Sequence, residues 1–147
     1  MSTAAPARAS RVLATNRKAF HEFEVVETME AGIVLTGTEI KSARAGKVNL
    51  TDGFAVVRGD EVWLLNVHIS PYDHGARENH EPRRERKLLL HRSEIYRLKA
   101  KVAERGWTLA PLRVYLRDNR AKVELALVRG KKLHDKRDTI ARRDADR

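Results

Sequence analysis

Six or more short segments of alternating apolar residues, turns marked by glycine between them, and only two or three stretches at helical spacing predict a mainly β fold. The arrangement expected is an antiparallel β-barrel with two or three peripheral α-helices and a disordered basic C-terminal tail. Its size is that of one domain: 147 residues, 41% apolar with eight further glycines, enough for a core without disulfides or metals. There are no cysteines, which excludes a disulfide framework, a Cys-ligated metal and a thiol nucleophile.

Along the chain, residues 1–15 are small and polar and read as a disordered N-terminal arm, followed by a barrel domain over 16–130 and a tail over 131–147. Phe23–Glu27 and Gly32–Thr36 read as two short strands joined near Met29-Glu30-Ala31. Thr38 then suits the N-cap of a short helix over Glu39–Ala45 with Gly46 as its stop. Phe54–Val57 and Glu61–His68 flank Arg58-Gly59-Asp60, a hairpin in which Gly59 supplies positive φ. Residues 70–86 form a long polar loop, a length that in compact domains marks function or mobility. Leu88-Leu89-Leu90 opens the next element, and Ile95, Leu98, Val102 and Ala103 predict a helix from His91 that Gly106 ends. Leu112–Leu116 and Ala121–Val128 make a second hairpin across Asp118-Asn119-Arg120, each alternating so as to leave a polar face. After Arg129-Gly130 the apolar pattern stops. Short strands with outside helices describe a small OB-like barrel, an architecture that often binds oligonucleotides without by itself settling function.

Charge narrows the partner. The net charge is +10, from 30 basic and 20 acidic residues. Residues 82–105 carry nine bases against three acids, residues 129–147 eight against four, and the remainder balances. Concentrated positive charge attracts polyanions through counterion release. A membrane surface would need bulky apolar anchors, and the tail offers only Leu133 and Ile140, so nucleic acid is favoured and no membrane contact is expected. The N-terminus has no continuous apolar core for a secretory signal; its bases Arg8, Arg11, Arg17 and Lys18 without acids match a short transit peptide or an ordinary basic arm. A cytoplasmic protein is the default expectation.

Enzyme signatures fail on spacing. Gly37 to Gly46-Lys47 is too widely spaced for a phosphate loop and Val48 stands where a hydroxyl is needed; Gly130-Lys131-Lys132 lacks the first glycine. His68, Asp73, His74, His80 and Glu81 match no zinc pattern, so neither metal nor cofactor is expected. Nothing pairs Glu30 with Glu39 as acid and base, and Ser42, Ser70 and Ser93 lack a nucleophile elbow. What remains is the basic region at 83–92 and the tail from Gly130 to Arg137. The tail's alternating charges and its Leu133–Ile140 spacing suit a segment that folds on a partner. His134 offers a ring that can stack on a base.

Five blocks of residues occur in one order: Glu30-Ala31-Gly32-Ile33; Gly37-Thr38-Glu39-Ile40-Lys41-Ser42; Arg44-Ala45-Gly46-Lys47; Pro82 to His91; and Arg120-Ala121-Lys122-Val123 followed by Arg129 to Arg137. From about Asn16 to about Arg143 the chain resembles the SmpB family, bacterial partners of tmRNA in trans-translation. The resemblance implies an OB-like barrel without catalysis that binds the tRNA-like domain of tmRNA and delivers it to stalled ribosomes. It also implies alanyl-tRNA synthetase and the elongation factor carrying aminoacyl-tRNA as associated partners, and a monomer is expected. By position, Asn16, Glu30, Leu89 and Lys122 match residues that engage the tRNA-like domain, with Lys18 beside Asn16 and Lys41, Arg44 and Lys47 of the short helix on the same face. Asn16 suits a base edge or sugar and Lys122 a phosphate, while Glu30 would orient a lysine or accept from an amino group or 2′-hydroxyl. Leu89 would pack on an unstacked base or complete the core, the core being slightly favoured. His134, Asp135, Lys136 and Arg137 match the tail segment that reads the empty decoding site, with Arg129, Lys131 and Lys132 on phosphates. Family tails usually run beyond the point where this sequence ends; about thirteen residues from Asp135 would span roughly 20 Å as a helix. A shortened tail would keep RNA binding and weaken ribosomal accommodation. The alternative reading is a structural barrel protein that binds ribosomal RNA permanently.

Overall fold

The computed structural model describes residues 11–72 and 79–130. The expectations for residues 1–10, for Asp73 and His74, and for the tail residues Lys131, Lys132, His134, Asp135, Lys136 and Arg137 lie outside them. In chain order the elements are β1 (Arg11–Thr15), α1 (Arg17–Glu22), β2 (Phe23–Ile33), α2 (Gly37–Arg44), β3 (Val48–Asn49), β4 (Phe54–Arg58), β5 (Glu61–Leu65), β6 (His68–Ile69), β7 (Arg86–Leu89), α3 (Arg92–Val102), β8 (Trp107–Arg117) and β9 (Arg120–Gly130). Strands β8, β4, β5, β7, β2 and β9 follow one another antiparallel, and β9 pairs back on β8, which closes the predicted barrel. A separate β3–β6 pair lies outside this ring.

The interior is filled by Met29, Ala31, Leu64, Leu88, Leu109, Val114, Val123, Leu125 and Leu127, with Leu98 of α3 joining the same cluster. Each fully buried Leu or Val contributes roughly 1.5–3 kcal/mol over an exposed one. A second cluster, Ala19, Ala110, Leu112, Ala126 and Val128 with Phe23 at its edge, lies on the outer surface of β8 and β9 beneath α1. The second hairpin is therefore buried on both faces along half its length, and its polar face is confined to the turn end.

Four sequence expectations are corrected. Arg11–Thr15 belongs to no disordered arm: it pairs with Arg113–Leu116 of β8, because the β8 edge past Pro111 is left open by β4 and accepts another strand. Phe23 to Ile33 is one strand and not two, paired with β9 from Phe23 to Gly32 with a single irregularity at Val26, so Glu30 sits in mid-strand and not at a turn. The N-cap of α2 is Thr36, not Thr38; its hydroxyl accepts from the Glu39 N–H while the Glu39 carboxylate accepts from the Thr36 N–H. Finally, the regular alternation expected over Leu112–Leu116 is broken by a bulge between Pro111 and Arg113. The bulge turns both Leu112 and Arg113 outward, Leu112 under α1 and Arg113 opposite Glu124, while Val114 points into the barrel. Gly59 has the predicted positive φ, +62; both turns are tighter than expected, Arg58 and Arg120 joining the strands, and Asp118 and Asn119 have φ 52 and 63.

Candidate nucleic-acid interface

Strand register assembles the site. Tyr115 of β8 faces Lys122 of β9, Lys122 faces Gly32 of β2, and Gly32 faces Leu89 of β7. Residues directly opposite share a face, and so do residues two apart. The outer face therefore carries Arg113, Tyr115 and Arg117 from β8, Arg120, Lys122 and Glu124 from β9, Glu30 from β2 and Leu89 from β7. It is the continuation of the surface that α1 covers further along the same strands.

Gly32 has a specific place in this row. A Cβ there would lie 3.3 Å from Leu89 Cβ and 3.5 Å from its Cδ1, so the bare backbone lets the Leu89 side chain lie across β2. Leu89 is 53% exposed, which corrects the core reading: its neighbour Leu88 fills the core, and Leu89 points the other way. An exposed leucine fixed beside a lysine and a carboxylate offers a flat apolar contact for an unstacked base.

Glu30 is held from one side. The Tyr115 hydroxyl donates to Glu30 Oε2 at 2.5 Å, and the Arg117 guanidinium donates to both carboxylate oxygens at 3.0 and 3.3 Å. Partial burial works against the carboxylate's charge, but the Tyr115 and Arg117 hydrogen bonds, with the charges of Arg117 and Lys122, hold its pKa below the usual range. The same contact, after burial, pushes the Tyr115 phenol well up, so it stays a donor. Beside them Arg113 donates to Glu124, and its guanidinium lies 4.8 Å from the centre of the Phe20 ring on α1. Glu30, Leu89 and Lys122 are thus brought together by the sheet.

Asn16 is not with them. It is 2% exposed; its side-chain oxygen accepts from the Ala19 N–H, and its amide donates to the Leu50 and Pro111 carbonyls at 3.0 and 2.9 Å. The amide caps α1 and closes the gap along β8 where Pro111 has no N–H to give, so it has nothing left for a base edge. Its link to the outer face is indirect, through α1 and Phe20. Lys18 pairs with Asp52 at 3.3 Å, beside a separate hollow of about 240 Å³ lined by Phe23 and Phe54 among others.

Lys41, Arg44 and Lys47 belong to another corner. The Lys41 ammonium lies 5.5 Å from the Tyr72 ring, the Arg44 carbonyl accepts from Arg11, and the Lys47 carbonyl accepts from the Ser70 N–H. These contacts surround α2, β3 and β6 and not the β9–β2–β7 face. Arg129 donates to Glu24 at 2.7 Å and stacks 5.3 Å from the Trp107 ring at the end of the barrel.

Two of the bases at 83–92 are turned inward, Arg86 fully and Arg84 in part. Glu39, fully buried, takes Arg86 Nε on Oε2 at 2.6 Å and Arg84 Nη2 on Oε1 at 2.6 Å. Arg86, also fully buried, donates from Nη1 to the Val67 carbonyl and from Nη2 to the Pro82 carbonyl. Burial alone would raise the Glu39 pKa, but Arg84, the Thr36 N–H and Arg86 together lower it to about 2. His80 of the same loop donates from Nε2 to the Ile69 carbonyl and accepts the Thr38 hydroxyl on Nδ1, so its two nitrogens tie the loop to β6 and to α2. Among the described residues no three His, Asp or Glu side chains are grouped to hold a metal, and no helix is long and apolar enough to cross a membrane.

A family model described as "SmpB protein" matches residues 13–147. The chain belongs to the SmpB family. Among members of the family, a protein called "SsrA-binding protein" from Desulforudis audaxviator is 61% identical over 137 residues, covering 93% of this chain and 90% of that one. Its counterpart of the same name from Roseiflexus sp. (strain RS-1) is 61% identical over 138 residues, 93% and 87% of the two chains. A solved chain described under "tmRNA-SmpB: a journey to the center of the bacterial ribosome" superposes with a TM-score of 0.70 at 52% identity, over 81% of this chain and 84% of that one. SmpB proteins are RNA-binding and non-enzymatic. Sequence reasoning missed Phe20, Arg113, Tyr115, Arg117 and Arg120 on the outer face; the alternation of Arg113, Tyr115 and Arg117 was the signal available for three of them.

Proposed function

We propose that this chain is a tmRNA-binding adaptor of trans-translation: it binds the tRNA-like domain of tmRNA on the outer face around Glu30, Leu89 and Lys122 and delivers it to stalled ribosomes. The observation that carries this reading is the convergence of three separate sequence blocks on one solvent-facing row, in a chain 61% identical to proteins called SsrA-binding. Each group has a chemical task there: Lys122 meets a phosphate, Leu89 takes the face of an unstacked base, and Glu30 fixes Arg117 while accepting from a 2′-hydroxyl or base amino group. The tail, residues 131–147, enters the empty decoding site and mRNA channel, with His134, Asp135, Lys136 and Arg137 against small-subunit RNA and Arg129, Lys131 and Lys132 on its approach. The description of the superposing chain, tmRNA-SmpB at the bacterial ribosome, supports the ribosomal half of the role. Alanyl-tRNA synthetase and the elongation factor act on the same RNA without being held by this chain, which works as a cytoplasmic monomer.

The test is a binding titration at fixed physiological salt against the tRNA-like domain, with a linear RNA of equal length as competitor. The adaptor reading predicts strong preference for the folded RNA. Equal affinity for both, collapsing as salt rises, would leave only a basic RNA binder, and retention on ribosomal subunits at high salt without that preference would favour a permanent ribosomal RNA-binding role.

A further inference from the structure

The β8–β9 hairpin ends in a two-residue turn whose residues, Asp118 and Asn119, both have positive φ. That geometry sets Arg117 directly opposite Arg120. Like charges facing each other across a ladder destabilise a hairpin, and Lys122 stands on the same face one pair further along. The three cations line a polar hollow of about 510 Å³ together with Glu30 and Asp118. Only Arg117 is fastened, by the Glu30 carboxylate at 3.0 Å. Among the described residues, neither Arg120 nor Lys122 takes part in an ion pair. Three cations against two carboxylates leave one positive charge in excess.

We infer that this hollow is a seat for one phosphodiester of the folded RNA, with Arg120 and Lys122 on its non-bridging oxygens and Arg117 presented to it by Glu30. The repulsion at the hairpin end is then the cost of a preformed anion site, relieved when the phosphate enters. Glu30 acts as a positioning residue: its carboxylate keeps Arg117 extended over the hollow and keeps the local charge at the single unit that one phosphate balances. This extends the RNA face to the turn of the hairpin and rests on the reading of that face as the site of the tRNA-like domain.

The experiment measures affinity of the full chain for the tRNA-like domain at several salt concentrations, for wild type, R120A, R120K, the double variant R117A/R120A, and K122A. Loss of one phosphate contact lowers the slope of log K against log[salt] by about 0.7–0.9. The expected result is that R117A/R120A shows this drop with roughly tenfold weaker binding at physiological salt, R120A shows part of it, and R120K retains the slope. The melting temperature of R120A should stay level or rise, since a repulsion is removed, which separates the effect from a structural one. If K122A weakens binding while R117A/R120A keeps its slope and stays within twofold of wild type, the phosphate seat is overturned and the RNA face stands. If K122A is also without effect, the face itself is misplaced and both fall.

Discussion

Two glutamates, nine residues apart, show how the same chemistry is put to different ends. Glu39 and Glu30 are each held by arginine and by one further donor, the Thr36 N–H in one case and the Tyr115 hydroxyl in the other. Glu39 is closed in completely, and each of the three guanidinium nitrogens of its partner Arg86 is bonded to the protein. Glu30 is held on one side only, with its second arginine neighbour and Lys122 left facing water. The closed cluster fastens α2 and the segment before β7 to the barrel; the open one is available to an RNA. Burial, and not residue type, separates the scaffold glutamate from the one in the proposed site.

The largest effect expected from this comparison is on Glu39. Glu39→Gln leaves Arg86 as a buried charge without its counterion, which costs about 3–5 kcal/mol in chemical denaturation. Glu30→Gln, at a side chain 32% exposed, should cost less than about 1 kcal/mol; similar losses at the two sites would break the distinction. Acid gives an independent measure. The Glu39 pKa is depressed from 4.5 to about 2 in the folded chain, so its contribution is present in full above pH 4.5 and is lost as pH falls towards 2. That contribution is on the order of 3 kcal/mol. Stability measured across this window should fall steeply in wild type and much less in Glu39→Gln.

Asn16→Ala comes next. It removes the cap of α1 and takes the side-chain donor from the Pro111 and Leu50 carbonyls, the latter keeping the Gly53 N–H, for about 2 kcal/mol of stability. Its effect on RNA binding should track α1 and disappear under conditions where the variant is fully folded. Weaker binding at unchanged stability would instead place the amide on the RNA. A smaller stability change is expected at Leu89: Leu89→Ala should alter unfolding by less than about 0.5 kcal/mol. It should nonetheless weaken RNA binding roughly fivefold, or about 1 kcal/mol.

The sequence pattern made the barrel legible because its strands alternate and its turns carry Gly59 and Asp118-Asn119, signals that depend on neighbours within a few residues. What it hid depends on distant partners. Arg84 and Arg86 read as part of a basic surface because nothing local says that Glu39, some forty-five residues earlier, neutralises them. β1 looked like an arm because its apolar residues only acquire a partner once β8 is in place. The bulge at Leu112 is silent in the local pattern, yet it decides that Arg113, Tyr115 and Arg117 face outward with Lys122. For the same reason the resemblance groups Asn16 with Glu30, Leu89 and Lys122, whereas packing sets those three on one outer face and encloses the Asn16 amide beneath α1.

The central claim is that the row Lys122–Gly32–Leu89 binds RNA without carrying the fold. The most direct test measures Lys122→Ala twice, by thermal unfolding and by titration against the tRNA-like domain with a linear RNA as competitor. An unchanged melting temperature is predicted, with binding to the folded RNA weakened about tenfold, or roughly 1.4 kcal/mol, and preference over the linear RNA reduced. Undiminished affinity and preference in a fully folded variant would contradict the account and move the RNA interface off this face.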